Sequence, residues 1–117
     1  MEKSISQQVL VQPNKQDIRL EVVLHALADP IRMQIVSQLA HSEIEMSCSC
    51  FNLPISKSTI THHFKVLREA GIISQYYKGT SRLSVLRTKE LEALFPGLLE
   101  SILKAYQSQI QSTSAFS

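Results

Sequence analysis

The chain has 117 residues, 44% of them apolar and 19% charged, which suits one domain with one modest core and a globular rather than a disordered chain. No apolar run approaches the roughly 20 residues that span a bilayer, and the start MEKSISQQVLVQPNKQ carries neither a long apolar segment nor a small-residue cleavage signal. A cytoplasmic location is therefore expected, with no membrane partner. The net charge of +2 hides an asymmetry: residues 56–90 hold seven lysines and arginines against Glu69 and Glu90, a local excess of +5. Such a segment suits a polyanion docking on one region, or else a solvated basic surface.

Residues 1–16 are mostly polar, with one apolar run at Val9-Leu10-Val11, and Pro13-Asn14 breaks any continuing helix. They read as an N-terminal arm with room for one short helix. Residues 17–28, DIRLEVVLHALA, have helical spacing, with Asp17 placed to complement the N-terminal dipole. Asp29-Pro30 ends that helix and begins the next, because proline disfavours a helical residue before it and suits a first helical position. The second helix, PIRMQIVSQLA, stripes Ile31, Ile35 and Leu39 along one side, with Val36 beside them.

Residues 41–55, HSEIEMSCSCFNLPI, have room for a short helix before Pro54. Ser56 then has the character of an N-cap, and the helix it opens runs to Ala70, where Gly71 supplies a left-handed stop. Beyond Gly71 the period changes. IISQYY and RLSVLR are rich in β-branched, aromatic and aliphatic residues around KGTS, which predicts a two-stranded hairpin with a short tip. Residues 88–110 return to helical spacing through Leu91, Leu94, Leu98, Ile102 and Tyr106, with a break at Phe95-Pro96-Gly97. Residues 111–117 read as a frayed tail.

The order is helix, helix, short helix, helix, β-hairpin, helix. This is a mainly α chain with a β-hairpin wing (α+β), the winged helix-turn-helix arrangement, over residues 17–110. On the helix after Ser56, Ile60, Phe64 and Leu67 point inward. The opposite face carries Ser58, Thr61, His62 and Lys65, with Lys57 and Thr59 at the N-terminal turn. Small hydroxyls and an imidazole approach base edges without steric conflict, and a lysine reaches a phosphate or a guanine edge. The helix N-terminus favours an anion through its unpaired N–H groups. This face therefore suits a major groove, N-terminal end first. The plainer alternative is an ordinary amphipathic surface helix, but the hairpin tip adds Lys78, Thr80, Ser81 and Arg82 beside it. His63, next to Phe64, reads as a packing or hydrogen-bonding residue rather than a base reader.

The stretches LADPIRMQIVSQL, SKSTITHHFKVLREAGII and YYKGTSRLSVL together closely resemble the ArsR/SmtB family of winged-helix transcriptional repressors, over about residues 17–105. The resemblance implies a homodimer that binds imperfect inverted repeats in double-stranded DNA and leaves them when an effector binds. It maps Ser56, Lys57, Ser58, Thr59, Thr61, His62 and Lys65 onto the DNA-contacting helix, and Lys78 and Arg82 onto the wing. Many relatives carry Gly-Arg at the wing tip, where this chain has Gly79-Thr80. The family's terminal helices build the dimer interface, which points here to Leu20, Val23 and Leu24 on the first helix and to Leu98, Ile102 and Tyr106 beyond the proline.

Cys48 and Cys50, too close together to staple a fold, are the chain's only cysteines. Thiolates bind soft metals, and the arsenic-sensing branch of the family carries a Cys-x-Cys motif ahead of its recognition helix. Here the register is shorter, Cys50 standing 13 positions before His63, and the flanking residues differ. Effector or redox sensing and simple burial as small hydrophobes both remain open for this pair. No metal or other cofactor is assigned. The family's other metal site, built from Asp and His of the last helix, is excluded, because residues 88–117 contain neither. An enzyme is not expected either, since no oxyanion donors, phosphate loop or paired carboxylates are legible. The alternative to a DNA-binding regulator is a winged-helix module that binds another protein.

Overall fold

A computed structural model of the chain describes residues 10–42, 46–47 and 55–115. Its contacts fall into two compact units, Met1–Arg87 and Thr88–Ser117. In the first, a 3-10 turn at Lys15–Asp17 precedes α1 (Leu20–Leu27), α2 (Pro30–Ser42), a two-residue strand β1 (Met46–Ser47), α3 (Lys57–Glu69), β2 (Ile73–Lys78) and β3 (Ser81–Leu86). The second holds α4 (Thr88–Leu94) and α5 (Leu98–Ala115). The fold is mainly helical with an antiparallel hairpin, a winged helix-turn-helix.

The first helix starts later than its sequence pattern predicts, at Leu20 rather than Asp17. Ile18 is the reason. It adopts an extended conformation and buries its side chain, leaving 7% exposed, which breaks the helical path on either side. It lies against the backbone of Gly71, where an added Cβ would stand 2.5 Å from Ile18 Cγ1. Gly71 has a φ of +85°, so it both stops α3 in the left-handed region and makes room for Ile18. On α1 the inward residues are Val23, Ala26 and Leu27. Val23, expected at a partner interface, is 2% exposed and lies in the chain's own core, so it has no area left to offer a partner. Leu20 and Leu24, expected there too, are 42% and 44% exposed.

Asp29 caps α2, its Oδ2 accepting from the backbone N–H groups of Ile31 at 3.0 Å and Arg32 at 3.1 Å. Ile35, Val36 and Leu39 of α2 are fully buried. The expected short helix at 41–55 is not what its described part forms: α2 extends to Ser42, and Met46–Ser47 pairs antiparallel with β3 as a third strand. Two residues fit a sheet edge but cannot make a helical turn. The remainder, with Cys48 and Cys50, lies outside the described residues.

The sheet order is β1-β3-β2. β2 and β3 form a hairpin whose end pair is Lys78↔Ser81, leaving the two-residue loop Gly79-Thr80 with Gly79 at φ +64°. A positive φ at the first loop residue matches the right-handed twist of the strands. Phe64 and Leu67 of α3 pack with Ile35, Val36, Ile72 and Ile73 in a core of side chains at 0% exposure. Burial of each is worth roughly 1.5–3 kcal/mol, so these contacts dominate the unit's stability. In the second unit Leu91 and Leu99 are buried, and Glu92 accepts from the Gly97 N–H at the break between the two helices.

Gly71→Ala should lower the unfolding free energy in urea by about 2 kcal/mol or more, combining left-handed strain with overpacking against Ile18. An unchanged midpoint would mean that Ile18 moves aside at no cost.

Candidate nucleic-acid interface

α3 begins at a hydroxyl cluster. Ser56 is the N-cap, its Oγ accepting from the Thr59 N–H at 3.3 Å. The same Oγ lies 2.9 Å from Thr59 Oγ1 and 3.3 Å from Ser58 Oγ. Ser56, Lys57, Ser58 and Thr59 are all exposed, so the first turn presents hydroxyls, a cation and backbone N–H groups to solvent together. Ser58, Thr61, His62 and Lys65 follow on one face, all exposed, within about 100° of arc at 3.6 residues per turn. The Thr61 hydroxyl donates to the Lys57 carbonyl at 3.0 Å. Its proton is thus committed to the helix, and what Thr61 offers outward is an acceptor lone pair and a methyl group.

The inward face is held by more than apolar contact. His63 is buried, with its Nδ1 3.0 Å from Arg32 Nη1. A guanidinium only donates, so Nδ1 accepts and the ring proton sits on Nε2. Arg32 also donates through Nε to the Ala26 carbonyl at 2.6 Å, and Asp29 Oδ2 lies 3.8 Å from His63 Nδ1. The end of α1, the start of α2 and the middle of α3 therefore meet at one polar junction. Burial pushes the His63 imidazole below its ordinary value. Asp29 opposes that shift, while the charges of Arg32 and His62 add to it. The His62 ring, with its centroid 5.9 Å from that of His63, stays on the exposed side.

The wing carries Lys78 at its exposed end and Arg82 opposite Tyr77 in the strand register. Arg82 donates through Nη2 to the Tyr77 hydroxyl and stands 5.1 Å from the Tyr77 ring centroid, a cation–π arrangement. The wing arginine is thus held by an aromatic platform rather than waving free. All nine residues expected to contact DNA are exposed or half-buried, seven of them at α3 and its cap and two on the hairpin. Among the described residues, no group of three or more His, Cys, Asp or Glu side chains is arranged to hold a metal, and no helix is long and apolar enough to cross a membrane.

Residues 29–75 match the model for bacterial regulatory proteins of the arsR family. An uncharacterized HTH-type transcriptional regulator of Bacillus subtilis, YceK, is 33% identical over 82 residues, covering 68% of this chain and 82% of its own. The transcriptional repressor SdpR of the same organism is 30% identical over 82 residues, covering 70% of this chain and 91% of its own. The chain belongs to the ArsR family. The HTH-type transcriptional regulator Rv2034 of Mycobacterium tuberculosis is also similar, 36% identical over 69 residues, covering 59% of this chain and 64% of its own. As an ArsR-family protein the chain is a DNA-binding transcriptional regulator and not an enzyme. The matched segment begins at Asp29, so the capping aspartate and Arg32 fall within it.

Sequence reasoning missed the partnership of Asp29, Arg32 and His63, although the Asp-Pro-x-Arg spacing was its signal. It also missed Tyr77 as the support of Arg82. That pairing needs the strand register, which the two-residue loop sets.

Because His63 binds its proton less readily when folded, the unfolded chain holds more protons as pH drops. Stability should therefore fall as pH decreases from about 6.5 toward the lower folded value. His63→Gln should flatten that part of the curve, read by urea unfolding between about pH 7 and 5. Parallel curves for the two proteins would remove His63 as the source.

Proposed function

We propose that this chain is a cytoplasmic, sequence-specific repressor that binds an imperfect inverted repeat in duplex DNA as a homodimer and is released by an effector. The observation that carries the DNA reading is the two-sided character of α3. Phe64, Leu67 and His63 anchor one side, while Ser58, Thr61, His62 and Lys65 are exposed on the other. In this reading Ser56, Lys57 and Thr59 hold a phosphate at the helix N-terminus. Thr61 meets a thymine methyl, His62 reads a base edge, and Lys65 binds a phosphate or guanine. Lys78 and Arg82 reach the flanking backbone or minor groove from the wing.

Repression is supported by the likeness to SdpR, which is named a transcriptional repressor. Pairing is supported by the exposed Leu20 and Leu24, four residues apart on α1, and by the half-buried Leu98, Ile102 and Tyr106 along α5. Release by an effector follows from the family resemblance.

Lys65→Ala should weaken binding to a duplex selected on the wild-type protein and reduce the slope of log affinity against log salt by about 1. His62→Ala should instead lose about 1–3 kcal/mol of discrimination between that duplex and a random one. Equal losses on both duplexes would deny His62 a reading role. Salt-independent affinity in the wild type would favour the protein-interaction module. Leu24→Glu should shift the chain toward monomer in sedimentation velocity while leaving its helicity intact. An unchanged sedimentation coefficient would place the interface elsewhere.

A further inference from the structure

Recognition helix and wing are separate elements linked through Ala70-Gly71-Ile72 and by apolar packing of Phe64 and Leu67 near Ile73, yet reading adjacent parts of one duplex requires them at a fixed offset. In this chain polar groups span the gap. Gln75 and Ser84, both at 0% exposure, face each other across β2 and β3, with Gln75 Nε2 donating to Ser84 Oγ at 3.0 Å. Gln75 Oε1 accepts from Arg68 Nη1 of α3 at 2.6 Å. The backbone of Gln75 is held by the arm: its N–H donates to Gln12 Oε1 at 3.1 Å, and its carbonyl accepts from Gln12 Nε2 at 2.9 Å. Arg68 Nε donates to the Val11 carbonyl at 3.2 Å, and Arg87 Nη1 to the Pro13 carbonyl at 2.9 Å. Burial, and then the charge of Arg82, draw the Arg68 guanidinium below its ordinary value. The next inward pair along the hairpin is Tyr77 and Arg82 themselves.

We propose that Gln12, Arg68 and Gln75 are positioning residues. They form a hydrogen-bonded clip, closed by arm residues 11–13, that sets the wing against the recognition helix and thereby sets how base pairs flanking the helix's site are read. This rests on the reading of α3 and the wing as the DNA interface. Apolar contact between helix and hairpin is non-directional, whereas a buried amide needs its partners in a matching geometry. Arg68 and Gln75 lie within the segment matched by the family model, and Gln12 lies ahead of it. Gln12 is half-buried, so water replaces its amide when it is lost, and the wing gains freedom without the core being opened.

The test uses a duplex selected on the full-length wild-type chain from a random-sequence pool, together with copies altered only in the base pairs flanking the part protected by α3. The wild type should bind the altered copies more weakly. Gln12→Ala should bind the selected duplex roughly 2- to 30-fold more weakly and should no longer distinguish the copies, with its thermal transition little changed. Gln12→Glu keeps the acceptor for the Gln75 N–H and loses the donor, so it should fall between. The same comparison on Gln12→Glu decides the matter if Gln12→Ala does not fold. A variant that keeps full flank discrimination overturns the proposal. So does one that loses only thermal stability while its affinity in the cold is unchanged, and so does a wild type indifferent to the flanks. A wild type that selects no duplex at all is a different failure, which removes the DNA reading itself.

Discussion

The junction of Asp29, Arg32 and His63 is where the orientation of α3 is decided. Asp29 satisfies two of the N–H groups that open α2, and Arg32 reaches back to the Ala26 carbonyl at the end of α1. Both are backbone groups that a helix end leaves without an intrahelical partner. The same guanidinium then turns to His63 and fixes which side of α3 faces inward. Given that side, the arc from Thr61 to His62 must face out, because a helix cannot rotate one face without the other. Apolar packing of Phe64 and Leu67 supplies most of the energy. The polar junction supplies the angle, since its hydrogen bonds are met in only one arrangement.

Much of this was legible in the residues. Ser56 as cap, Gly71 as stop, the proline start of α2 and the short hairpin tip all follow from local chemistry acting over a few positions, and all four hold. The outward set on α3 followed from the 3.6 period, and each of its members is exposed. The failures lie where distant residues decide. α1 starts late because Ile18 is pulled under Gly71, 53 positions away in sequence and with no local sign. Val23 sits on the same apolar helix as Leu20 and Leu24, and its inward turn shows only once α1 is seated. Strand β1 is two residues long, too short for any period to reveal. The arm's polarity concealed its role, because Gln12 earns its place through a backbone pairing that composition does not record.

Two different kinds of restraint thus act on one small unit. The corner of α1, α2 and α3 is locked by a capped, hydrogen-bonded arginine and histidine. The opposite end of α3 is tied through Arg68 to a buried glutamine and to the arm. α3 is therefore held at its middle and at its C-terminal end, which favours an outer face that is already formed and loses little freedom on contact.

The pairing of Gln12 with Gln75 has one more effect. β2 is the outermost strand on its side of the sheet, and an open strand of that kind invites another chain to add to it. A side-chain amide already occupies the N–H and carbonyl of its middle residue, imitating a neighbour that has no strand beyond it. A strand arriving at this border therefore finds its central rung already taken.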